Sequence, residues 1–131
     1  MKIIATISSH PDVQGSVAEN LIAAVEAAYD CAKICVSCAD ACVAEDMDMR
    51  QCIRLCLDCA DVCFATATTA SRRTGSNEAL IAQMLAVCET ACHLCGNECQ
   101  GHAGAHDHCR LCAEACLACA EACQRAVSDV T

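Results

Sequence analysis

The 131-residue sequence has no tryptophan, one phenylalanine, one tyrosine and one proline. With so few aromatic rings it offers no platform on which nucleic-acid bases could stack. Basic residues are also scarce: eight Lys and Arg stand against 17 Asp and Glu, for a formal charge of −9. That balance argues against nucleic acid and against an anionic membrane as partners. Hydrophobic residues make up 56%, yet no uninterrupted apolar run approaches the roughly 18 residues of a membrane span. The apolar start Ile3-Ile4-Ala5-Thr6-Ile7 is shorter than the roughly 7–15 residues of a signal-peptide core. Polar Ser8, Ser9 and His10 follow it, and no small-residue cleavage pattern is evident. The sequence therefore reads as cytosolic.

What the sequence has in excess is cysteine, 17 residues in all. They fall into four phrases spaced mostly by four, three and four. The phrases are Cys31, Cys35, Cys38, Cys42; then Cys52, Cys56, Cys59, Cys63; then Cys88, Cys92, Cys95, Cys99; and last Cys109, Cys112, Cys116, Cys119, Cys123. Spacings of three and four place residues on one helix face. A period near 3.5 is the seam of a helix bundle, where leucine normally sits. The sequence predicts an all-α fold, an antiparallel up-down-up-down four-helix bundle whose inward stripe is thiol.

Residues 1–15 lack the phrase and read as an N-terminal extension to a single bundle domain. Pro11 could begin a short turn closed by Gly15. Helices are expected over about 16–45, 48–73, 76–101 and 107–128. Ser16 with Glu19 forms a capping box for the first. Asp48 with Gln51 starts the second, Ser76 the third and Asp107 the fourth. Arg72 and Arg73 followed by Gly75 suit a helix end. Gly96 interrupts the third helix at a cost of about 1 kcal/mol against alanine unless close packing requires it.

Short connections make neighbouring helices antiparallel. The thiols of the first three then gather toward the end that carries turns 46–48 and 101–107, while the fourth helix carries them along most of its length. The other end is filled by Leu21, Ile22, Val25, Leu80, Ile81 and Leu85. Level by level from that closed end, Cys31, Cys63, Cys88 and Cys123 are expected together, then Cys35, Cys59, Cys92 and Cys119. Cys38, Cys56 and Cys95 follow with Cys116 or Cys112. Cys42, Cys52, Cys99 and Cys109 come last, at the mouth.

Buried cysteine can serve as a small hydrophobe, but four phrases with thiol at every seam position ask for another explanation. Disulfides do not normally persist in the cytosol, and an odd count leaves one thiol unpaired. Metal binding remains, and charge selects the metal. Thiolates are the ligand form, and many of them in a dry core are intolerable without compensation. Four Zn²⁺ ions on sixteen thiolates would leave about eight negative charges uncompensated. A monovalent ion at about one per thiolate leaves the core near neutral, and soft thiolates select Cu(I). The reading is storage and buffering of multiple Cu(I) ions, about one per Cys.

Met47 and Met49 lie in one upper turn, and His102, His106 and His108 lie in or beside the other. Thioether and imidazole both ligate copper, so these five are candidate ligands for ion entry. His10 and His93 read as solvated. No cysteine is set apart with its own base and orienting group, so the chain does not read as an enzyme.

These features resemble the cytosolic bacterial copper storage proteins. The likeness rests on the four phrases, the histidines before the last helix, Ser8-Ser9-His10-Pro11 and Thr74-Gly75-Ser76-Asn77-Glu78. It implies a four-helix bundle that fills with Cu(I), often as a homotetramer; a copper donor or acceptor protein is a further expected partner. Members often carry thiols further down the first helix, where this chain has Ala24 and Ala28. That departure bears on capacity at the closed end. The alternatives are a general zinc or heavy-metal buffer, an iron–sulfur electron carrier and a disulfide-stapled bundle. Ferredoxin cysteines sit in loops around a cluster, whereas these sit on alanine-rich helices.

Overall fold

A computed structural model describes residues 3–13, 18–73 and 75–130. The described residues form five helices: α1 (Ile3–Ser8), α2 (Glu19–Val43), α3 (Arg50–Ala70), α4 (Glu78–Gln100) and α5 (Asp107–Val130). No strand occurs among the described residues. The four long helices close a ring in which α2 packs on α3 and α5, and α4 packs on the same two. Sulfur contacts fix the directions. Cys63 meets Cys88 while Cys52 meets Cys99, so α3 and α4 run opposite ways. Cys42 meets Cys52 while Cys31 meets Cys59, so α2 and α3 do too. This is the antiparallel bundle that the seam spacing implies.

The helix ends differ from the expected ones in ways that local chemistry explains. Residues 3–8 form a helix that the sequence pattern did not single out. Ile7 enters the core and Ile3 packs against it, an incentive visible only once α2 is in place. Pro11 follows the exit from α1, where His10 Nδ1 accepts the Asp12 N–H at 3.1 Å. The expected cap at Ser16 and the closing Gly15 lie outside the described residues. At the start of α3 the Asp48 carboxylate accepts the Arg50 N–H at 3.1 Å and also holds its guanidinium, although the helix proper begins two residues later. α3 ends at Ala70 rather than 73, with Arg72 donating to the Thr68 carbonyl at 2.8 Å. Gly75 has φ +86°, a left-handed turn conformation. An Arg73–Glu78 ion pair at 3.2 Å spans that turn.

The interior has two parts. Toward the closed end, Leu21, Ile22, Val25, Ala67, Ala70, Ile81 and Leu85 are buried together with Ile7. Toward the mouth, the inward stripe is cysteine. Gly96 marks a close approach of α4 and α5: a methyl there would sit 3.1 Å from Leu117 Cδ2 and 3.2 Å from Cys116 Cβ. By length and composition alone, α4 is apolar enough to cross a membrane. Its inward face packs in the bundle, and its outer face carries half-exposed Leu80, Val87 and Leu94 at seven-residue intervals.

Candidate metal centre

All 17 cysteines are free and buried, most with no accessible surface at all. Each sits at a seam position of its helix, so the bundle that buries leucine elsewhere buries sulfur here. The sulfurs form one connected array. Cys63 touches Cys88 at 3.7 Å and Cys92 at 3.6 Å near the closed end. Cys59 reaches Cys92 at 3.8 Å and Cys31 at 4.0 Å. Cys35 reaches Cys112 and Cys116, each at 3.7 Å. Cys56 meets Cys95 at 3.7 Å and Cys99 at 3.8 Å. Cys52 joins Cys99 at 3.6 Å to Cys42 at 3.7 Å under the mouth. Several sets of four have every sulfur within 4.8 Å of the others, among them Cys38, Cys42, Cys52 and Cys109.

The levels differ from the expected ones in one respect. Cys31 lies not with Cys88 and Cys123 but one step nearer the mouth, among Cys59, Cys63 and Cys92 and among Cys35, Cys59 and Cys116. The whole α2 phrase is offset accordingly: Cys38 groups with Cys52, Cys56 and Cys99. At the lowest level Cys88 interacts with Cys119, Cys123 and Cys63. One turn below Cys31, α2 carries buried Ala28. Three helices thus supply thiol there and the fourth supplies a methyl.

Burial pushes the Cys42 thiol up and the Cys109 thiol up to about 12, in both cases as the largest cause. Deeper in, neighbouring sulfurs set the direction in which each thiol is pushed, and that direction alternates along the array. Cys112 is held low, first by Cys116 and then by Cys35. Cys35 is pushed up, first by Cys112. A soft cation that binds a protonated thiol of the array displaces its proton.

At the mouth the structure brings four of the five candidate entry residues together. His106 Nε2 lies 2.9 Å from Met47 Sδ. The rings of His106 and His108 stack at 5.6 Å, and those of His102 and His106 stand 6.5 Å apart. Met49 behaves differently: it precedes α3 and is only 3% exposed, against 50% for Met47. It belongs to the core beneath the turn because its neighbour Asp48 takes the solvent side of the helix start.

Two carboxylates that sequence reasoning passed over complete this cluster. Glu45 Oε2 lies 2.7 Å from His108 Nε2 and 3.0 Å from His106 Nδ1. Glu98 takes His102 Nε2 at 3.0 Å. The spacing of four between Glu98 and His102 on one helix could have signalled the second pair. Nothing local signals Glu45, whose partners come from α5 and the turn before it. With Nε2 held by Glu45, His108 turns Nδ1 toward Cys38 at 3.3 Å and Cys109 at 3.6 Å. A carboxylate on one ring nitrogen with soft ligands at the other is the usual outer support of a metal-binding imidazole. Its pKa is raised, first by Cys38 and then by Glu45.

A groove of about 520 Å³ between α2 and α5 also reaches Cys38 and His108, walled by Ile34, Leu111 and Ala115. His10 stays near the surface, and His93 is exposed with Glu89 3.6 Å away.

Comparison with known proteins agrees with this geometry. The copper storage protein Ccsp from Streptomyces lividans, in a structure loaded with 10 copper equivalents, is 43% identical. It superposes with a TM-score of 0.90 over 96% of this chain and 98% of its own. The cytosolic copper storage protein of the same organism, captured with five coppers, is 46% identical with a TM-score of 0.81 over 84% and 93%. An uncharacterized cysteine-rich protein of Bacillus subtilis (strain 168), YhjQ, is 39% identical over 93 residues, covering 71% of this chain and 82% of its own length. Residues 17–128 match the pattern of a single family. The chain belongs to the copper storage protein family.

Proposed function

We propose that this chain stores and buffers Cu(I) in the cytosol as a multi-ion thiolate array, and that it is not an enzyme. The observation that carries the reading is the continuous run of touching sulfurs through the bundle, 17 buried thiols with no cationic side chain among the buried residues described. Neutrality then has to come from the cargo. One Cu(I) per thiolate removes one proton and adds one positive charge, so the loaded core stays near neutral at every stage of filling. Adjacent thiolates at 3.6–4.0 Å can share ions as they fill.

In this reading the ligands are the cysteines of all four phrases. Met47, His102, His106 and His108 take ions at the mouth and hand them to Cys38, Cys42, Cys52, Cys99 and Cys109. Met49 is a core residue below them. The outer stripe of Leu80, Val87 and Leu94 supports self-association, in line with a homotetramer. A donor or acceptor protein would meet the bundle at the mouth end.

Anaerobic titration with Cu(I) against a chromogenic competitor tests the stoichiometry. Saturation at roughly the number of cysteines is expected. Saturation near four ions would replace the continuous store with separate Cys₄ sites.

A further inference from the structure

One set of four thiols is packed more closely than the other sets compared with it below. Among Cys31, Cys35, Cys59 and Cys116, five of the six sulfur–sulfur distances are close contacts. They are 3.8 Å for Cys31–Cys35, 4.0 Å for Cys31–Cys59, 3.7 Å for Cys31–Cys116, 3.7 Å for Cys35–Cys116 and 4.0 Å for Cys59–Cys116. The sixth is within 4.8 Å. A four-coordinate ion at a Zn–S distance of about 2.3 Å requires sulfur–sulfur edges of about 3.8 Å. The five contacts match that tetrahedron before any ion is present. The overlapping set Cys31, Cys59, Cys63 and Cys92 has four such contacts, and Cys38, Cys52, Cys56 and Cys99 has two, Cys52–Cys99 and Cys56–Cys99.

From this we infer that the copper-free chain has one preformed tetrahedral site for a divalent d¹⁰ ion, Zn²⁺, at Cys31, Cys35, Cys59 and Cys116. Cu(I) is satisfied by two or three thiolates and gains little from a fourth, whereas structural zinc takes four. The four ligands come from three helices, α2, α3 and α5, so the ion ties those helices together midway along the bundle. Binding replaces four S–H protons: Zn²⁺ and four thiols give a tetrathiolate zinc dianion and four H⁺.

A charge of −2 in a dry core needs support, and thiols outside the set provide it. Cys63 touches Cys59 at 3.8 Å and Cys112 touches Cys35 at 3.7 Å. Once zinc has displaced the protons of its four ligands, these outer thiols are left as the S–H donors that stabilise the ligating sulfurs, as outer partners do in zinc sites. This support also limits the number of such sites. A second zinc nearby would consume those donors as ligands and bring two dianions together. Single occupancy is thus compatible with the argument that zinc cannot fill the array, and the inference stands apart from the Cu(I) reading.

Anaerobic titration of the reduced, copper-free chain with Co²⁺, followed by Zn²⁺ displacement, tests this. One Co²⁺ per chain is expected, with sulfur-to-cobalt charge transfer and the intense visible bands of tetrahedral cobalt, both erased by one equivalent of Zn²⁺. Cys116→Ala and, separately, Cys35→Ala should abolish the tetrathiolate spectrum. Loss of a ligand costs more than the about 10–100-fold that an outer partner costs. Cys123→Ala, which changes a sulfur outside the set, should keep the spectrum. Circular dichroism of each variant shows that the helices persist. No thiolate–cobalt band, two or more tightly bound Co²⁺, or a spectrum that survives Cys116→Ala would each overturn the site. A Cu(I) titration of the same preparation separates the two readings. Full Cu(I) capacity without a cobalt site defeats only the zinc inference. A cobalt site with a Cu(I) capacity near four defeats only the storage reading.

Discussion

The closed half and the mouth half of the bundle are built from the same helices with the same periodicity, yet they solve different problems. Below, Leu21, Val25, Ile81 and Leu85 fill the seam with branched aliphatic side chains. Above, the equivalent positions carry cysteine. Branched side chains bury more apolar surface per position, about 1.5–3 kcal/mol for a full Val, Leu or Ile. A thiol is smaller and gives up part of that gain. The lower half therefore holds the fold when no metal is present, and the upper half is free to be optimised for ligands. Stability and capacity are separated along the bundle axis.

The sharpest way to break this comparison is one truncation in each half. Leu85 is fully buried, so Leu85→Ala should cost the copper-free protein about 2–5 kcal/mol and leave Cu(I) capacity per folded chain unchanged. Cys92, equally buried, should show the reverse. Cys92→Ala removes about one methylene-sized group, worth about 1 kcal/mol, and lowers capacity by about one ion. Denaturant unfolding of the copper-free proteins together with anaerobic titration gives both numbers. Equal stability losses at the two sites would mean that the thiol half carries the fold as well.

Much of this division was legible in the sequence. The thiol phrases fixed which face of each helix points inward, and turn lengths fixed antiparallel neighbours. What the sequence could not supply is the offset between helices. Spacing within a helix says nothing of where that helix stops sliding along its neighbour, and so Cys31 was placed one level too low. Ala28 is the residue that records the true register, because α2 needs no thiol where Cys63, Cys88, Cys119 and Cys123 already fill the level. The helix α1 was missed for a related reason: Ile3 and Ile7 make a short apolar pair whose meaning depends on the surface that receives it. Glu45 escaped because its histidine partners are about 60 residues away in sequence.

A smaller effect is expected where the two halves are coupled through α4 and α5. Gly96 lets these helices approach, and an added methyl would press on Leu117 and Cys116. Overpacking of this kind costs about 1–3 kcal/mol, offset by up to about 1 kcal/mol of helix propensity. Gly96→Ala should therefore destabilise the copper-free protein by about 1 kcal/mol. It should also disturb the level of Cys116 more than that of Cys52. A stabilised variant in the same unfolding assay would show that the approach of α4 to α5 is not tight.

The smallest equilibrium effect belongs to the mouth, where the comparison turns from capacity to rate. Met47, His102, His106 and His108 form a cluster of thioether and imidazole above the first thiols. Glu45 and Glu98 hold the rings in place. These ligands are fewer and bind Cu(I) less tightly than thiolate, so they cannot hold an appreciable share of the store. They can shorten the step in which an ion leaves a carrier, because Cys38 and Cys42 are each only 2% exposed and a carrier cannot reach them directly. Replacing all four by alanine should slow Cu(I) transfer to and from a competing chelator while reducing end-point capacity only slightly. Met49 is left out because its burial would add a folding defect to the measurement. Stopped-flow transfer with end-point titration reads both quantities. Loss of most of the capacity would put the store at the mouth and contradict the division of the bundle. An unchanged rate with full capacity would move the entrance to the α2–α5 groove, which reaches Cys38 from the side past Ile34, Leu111 and Ala115.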